Sequence, residues 1–89
     1  MTTFKLLEIV DIEIITQMMR DFYVIDNYPM DVEVAKTLFQ EFISNEHLGK
    51  SWLIYSENEV VGYIILTFIF SFEYGGKIAF VDELFIKET

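Results

Sequence analysis

At 89 residues the chain has room for one domain and one small core. Its 53% apolar and 17% aromatic content excludes a disordered chain and exceeds what so small a domain needs for its interior, which points to surface meant for a partner. Asp and Glu total 15 against 6 Lys and Arg, and the formal charge of −9 repels nucleic acid and anionic membrane while favouring cationic ligands such as amines, although acidity also serves solubility.

Residues 3 to 9 alternate Phe4, Leu6 and Glu8 with Lys5, Leu7 and Ile9 and are predicted as a first strand. Asp11 is suited to cap a helix, with Val10 as its staple, and Ile15, Met18, Met19 and Phe22 recur at helical spacing, so a helix is predicted from about residue 12 to 23. Asn27, Tyr28 and Pro29 interrupt it, because the residue before a proline is pushed out of helical geometry. Asp31 is a second candidate cap, and Ala35, Leu38, Phe39, Phe42 and Ile43 draw the apolar stripe of a second helix that fades near Asn45, with Gly49 as a stop signal.

A short strand at 51 to 55, a polar turn at 56 to 59 and a long strand at 60 to about 73 then form a hairpin. In the long strand Ile64, Leu66, Phe68, Phe70 and Phe72 are uniformly apolar, so that face is predicted as core. Gly75 and Gly76 allow a tight connection into a last strand at 77 to about 87. No repeat, linker or low-complexity segment divides the chain, so residues 1 to 89 are expected to form one α+β domain in the order β-α-α-β-β-β with a mainly antiparallel sheet.

This order resembles the opening of the GNAT (Gcn5-related N-acetyltransferase) fold. The likeness is carried by Val61-Gly62-Tyr63 on the long strand, its distance to Gly76-Lys77, and the run Phe80-Val81-Asp82-Glu83-Leu84-Phe85-Ile86. With Phe70-Ser71-Phe72-Glu73-Tyr74-Gly75-Gly76 before that run, the segment is similar to the branch that acetylates small amines such as diamines and spermidine. The resemblance implies acetyl-CoA as co-substrate, with main-chain contacts from Leu84, Phe85 and Ile86 to its pantetheine arm and thioester. The Arg/Gln-x-x-Gly-x-Gly/Ala loop that binds the pyrophosphate in the family has no counterpart before the sequence stops at Lys87-Glu88-Thr89. The chain is therefore expected to be the N-terminal half of such a domain, inactive by itself.

Acetyl transfer needs an uncharged attacking nitrogen, so a carboxylate is wanted to bind the ammonium and take its proton. The resemblance puts Asp82 and Glu83 in that role. As neighbours on a strand they are expected to point to opposite faces, one toward the cleft and one toward solvent. Tyr23 and Tyr28 fall in the region that closes over the acceptor in the family, and Glu73 and Tyr74, near the last turn, are candidates for the other rim.

Cysteine is absent, which excludes disulfides and thiolate chemistry and fits a reducing compartment, and His47 by itself makes no metal site. The run from 60 to 72 is shorter than the roughly 20 residues of a membrane helix, and no signal peptide is visible, so a cytoplasmic location is expected. The competing expectation is a catalytically inactive interaction or dimerisation module. Its last strand would be an open edge carrying Phe80 and Phe85, and self-association to a dimer is expected under either reading.

Overall fold

In the computed structural model, which describes residues 1–88, strand β1 (Thr2–Leu6) leads through a 3-10 turn (Ile9–Asp11) into helix α1 (Ile12–Ile25). Helix α2 (Val32–Ser44) follows, then β2 (Gly49–Ser56), β3 (Glu59–Ser71) and β4 (Gly76–Ile86). The four strands lie in the order β1-β2-β3-β4, every neighbouring pair antiparallel. This is the expected β-α-α-β-β-β architecture of a GNAT half-fold.

Both helices pack on one face of the sheet. Ile12, Ile15, Met18 and Met19 of α1, with Ala35 and Phe39 of α2, meet Leu53, Tyr63, Ile65 and Phe85 from the strands. The core of β3 is thus its odd-numbered face, opposite to the expectation. Ile64, Leu66 and Phe68 are only half-buried, while Phe70 and Phe72 are 70% and 93% exposed. Both faces of this strand are apolar, so alternation alone does not choose between them. The helices cover the face on which Tyr63 pairs with Leu53 on one side and Phe85 on the other.

Local capping also departs from the sequence reading in one place. Asp31 caps α2 as expected, accepting from the Val34 N–H at 3.1 Å. Asp11 makes no side-chain cap to α1; the residue is only 5% exposed, and its carboxylate accepts from Lys5 Nζ at 2.5 Å and from the Glu8 N–H at 3.0 Å. Val10, the expected staple, is exposed.

Two register shifts interrupt the sheet. One lies between Ile54 and Tyr55 of β2, which pair with Gly62 and Val60, so that Val61 is the extra residue. Beside it, a Cβ built on Gly62 would stand 2.0 Å from the Phe85 carbonyl oxygen. Close strand approach therefore accounts for the glycine of the Val-Gly-Tyr run. The second shift separates Ile65 from Leu66, which pair with Glu83 and Val81, and leaves Asp82 without a pairing partner. Among the described residues no helix is long and apolar enough to cross a membrane.

Candidate functional site

The bulge at Asp82 shapes the site. An inserted residue breaks the strict alternation of side chains, and Asp82 and Glu83, expected on opposite faces, both line one cavity of about 220 Å³ on the helix side. Met19 of α1, Leu38, Phe39 and Phe42 of α2, and Ile65 and Thr67 of β3 form much of the remaining wall. Leu38, expected in the core stripe, is instead 59% exposed and borders this cavity.

Glu83 is half-buried, and both its oxygens are held. The Tyr63 hydroxyl donates to Oε1 at 2.8 Å and the Tyr23 hydroxyl donates to Oε2 at 2.5 Å. Burial pushes the Tyr63 phenol well above its usual range, and the hydrogen bond and negative charge of Glu83 push it further. Burial is likewise the larger cause for Tyr23, followed by the hydrogen bond to Glu83 and then the charges of Glu83 and Asp82. Both phenols therefore stay protonated donors at neutral pH. Each carboxylate oxygen has a second lone pair, so Glu83 can still accept from a ligand.

Tyr23 also divides space. On its other side lies a second cavity of about 390 Å³, lined by Phe22, Tyr23, Asp26, Tyr28, Pro29 and Glu83. Tyr28 meets Tyr23 edge-on, with ring centroids 6.4 Å apart, and its N–H donates to the Tyr23 carbonyl at 3.0 Å. A third hollow of about 550 Å³ runs from Asp21, Phe22 and Ile25 along Leu84, Phe85 and Ile86 to Lys87 and Glu88. The Phe85 side chain is buried between Phe22 and Tyr63, with ring centroids at 5.1 and 5.8 Å. Leu84 and Ile86 point to the other face of the sheet and are exposed. Among the described residues β4 pairs only with β3, so its outer main-chain edge faces this hollow without a strand partner.

The structure thus brings Asp82, Glu83, Tyr23 and Tyr28 together and places Leu84, Phe85 and Ile86 beside them. It does not bring Glu73 and Tyr74, which sit exposed at the tip of the β3–β4 hairpin and line none of these cavities. The pairing runs from Ile65–Glu83 to Ser71–Gly76, six residues along β3, which carries the tip roughly 20 Å away. Tyr63, which holds Glu83, and Asp26, which only borders the second cavity, went unassigned in the sequence reading. Tyr63 stood there only as part of the Val-Gly-Tyr resemblance, yet a fully buried tyrosine needs a partner for its hydroxyl, and that requirement is the signal. Asp26 carried no signal beyond its nearness to Tyr28.

No protein-family model matches the sequence, and no curated protein does. Among solved structures, the chain superposes on an integron cassette protein from the mobile metagenome of Cole Harbour Salt Marsh with a TM-score of 0.89 and 34% identity, covering 94% of this chain and 55% of that one. A possible acetyltransferase from Clostridium difficile 630 gives a TM-score of 0.84 at 15% identity, over 98% of this chain and 58% of that one. A predicted acetyltransferase from Clostridium acetobutylicum, solved with acetyl-CoA, gives 0.78 at 12% identity, over 98% and 60%. The chain therefore spans between 55% and 60% of the length of these three structures.

Proposed function

From the fold that the chain shares with GNAT-type acetyltransferases, we propose that it forms the acceptor side of an N-acetyltransferase, which moves an acetyl group from acetyl-CoA to the nitrogen of a small amine. The observation that carries this reading is Glu83. Two neutral phenols hold its carboxylate, no lysine or arginine among the described residues pairs with it, and two cavities open onto it beside the unpaired edge of β4.

In this reading Glu83, with Asp82 next to it, binds the ammonium form of the acceptor and takes one proton from it, directly or through a water. The freed nitrogen attacks the thioester carbonyl carbon, the C–N bond forms as the C–S bond breaks, and the departing thiolate takes up a proton. Main-chain groups on the outer edge of β4 at Leu84, Phe85 and Ile86 are suited to the amide-bearing arm of the donor, since preformed N–H donors stabilise charge on the acetyl oxygen. The residues present fit that arm better than the phosphates. Among the described residues Lys87 is the only cation lining the third hollow, and residues 1 to 89 contain no glycine-rich phosphate loop. The absence of cysteine supports a cytoplasmic setting.

Calorimetric titration of a primary amine into the wild-type chain and into Glu83→Gln tests the proposal, with acetyl-CoA titrated in parallel. Saturable amine binding that Glu83→Gln weakens by roughly tenfold or more is the expected result; equal affinity in the two proteins rules out Glu83 as the acceptor-binding group.

A second reading, the interaction or dimerisation module, is favoured by the sheet face that the helices leave bare. Phe4, Leu6, Val81, Leu84 and Ile86 are all exposed there, next to an edge strand. Light scattering that reports a dimer supports this reading, and a monomer at high protein concentration removes it.

A further inference from the structure

The two cavities that share Glu83 differ in chemistry, and the difference bears on which amine is bound. The cavity on the Tyr28 side has a carboxylate at Asp26 as well as at Glu83. Among the described residues the cavity on the α2 side has its only carboxylates on the β4 wall, at Asp82 and Glu83, and no Lys or Arg lines it. Its α2 wall consists of Ala35, Leu38, Phe39 and Phe42. A ligand crossing this space meets two negative charges at one end and hydrocarbon at the other.

Resting on the amine-acetyltransferase reading above, we propose that the α2-side cavity is the acceptor subsite and that it selects a primary amine with an apolar body over a diamine or polyamine. The ammonium group sits against Asp82 and Glu83, and an alkyl or aryl body lies along Leu38, Phe39 and Phe42. A second ammonium at that end would give up part of its water against Phe39 and Phe42 and gain no acceptor, a cost that an apolar tail does not meet. An apolar tail of the same length gains from leaving water. Asp82 reaches this cavity only because the bulge turns it to the helix side, so the bulge doubles the negative charge at the one end where it is useful.

The test compares hexylamine with 1,6-diaminohexane, which match in length and differ in the far end, by titration into the isotope-labelled 89-residue chain followed by amide NMR. Hexylamine is expected to bind at least tenfold more tightly, with shifts concentrated at Leu38, Phe42, Thr67 and Asp82. Leu38→Glu places a carboxylate on the apolar wall at an exposed helix position, where glutamate is well tolerated, and is expected to reverse the preference. Asp26→Asn is expected to change neither affinity. If the diamine binds as well as or better than hexylamine, or if Asp26→Asn weakens the diamine selectively, the subsite lies on the Tyr28 side and the inference fails while the amine reading stands. Absence of binding by either amine overturns both.

Discussion

Asp11 and Glu83 are two carboxylates drawn from water in different ways, and the contrast separates a charge cancelled within the chain from one left open in a cavity. Asp11, at the entry to α1, is closed off by a lysine: Lys5 Nζ stands 2.5 Å away and the Glu8 N–H fills a further acceptor position. Its charge is cancelled from within the chain. Glu83 receives two hydroxyl donors that fix its orientation and leave its charge uncancelled, with Asp82 adding a second charge to the same cavity. A neutralised carboxylate has little to give a ligand, whereas a positioned and uncancelled one is poised for an external cation.

That contrast breaks most sharply under substitution at Glu83. Glu83→Gln is expected to weaken amine binding roughly tenfold to a hundredfold, the worth of a charge-assisted hydrogen bond, and Asp11→Asn should leave it unchanged, both read by calorimetry. Stability should show the reverse weighting. Asp11→Ala leaves the Glu8 N–H without its acceptor and is expected to cost about 1–3 kcal/mol, measured by chemical denaturation. Tyr63→Phe removes one of the donors to Glu83 and should cost about 1 kcal/mol, with a several-fold loss of amine affinity because the carboxylate is then less firmly held.

The smallest effect is a matter of pH. Tyr23 and Tyr63 ionise above the usual phenol value near 10 when folded, so their stabilising contribution is complete below that value. It is lost as pH rises beyond 10 toward their folded values. Ultraviolet titration of the 5 tyrosines should show at least two ionising late, and Tyr63→Phe should remove one of them.

The helices and the strand order were legible because their signals are local: the spacing of Ile15, Met18 and Met19, the Asp31 cap, and the glycine pair before β4. Which face of β3 is buried was not legible, since Tyr63 and Ile65 are no more apolar than Ile64 and Leu66. The choice falls to the helices, which come from elsewhere in the chain. The role of Asp11 was misread for a related reason, as a cap and an ion pair to Lys5 begin from the same residue. The resemblance put Asp82 and Glu83 forward, but their shared face depends on one unpaired residue in β4, and alternation has no means of announcing a bulge. Glu73 and Tyr74 lie apart from these cavities because a long hairpin carries its tip away from them.

Tyr23 stands between the two cavities with its hydroxyl on Glu83. A ligand that passes from one cavity into the other must swing that ring aside and give up its hydrogen bond, about 1.5–3 kcal/mol for a charged acceptor. Length discrimination at such a partition is a graded threshold instead of a wall, and a compound with enough contacts beyond the ring crosses it.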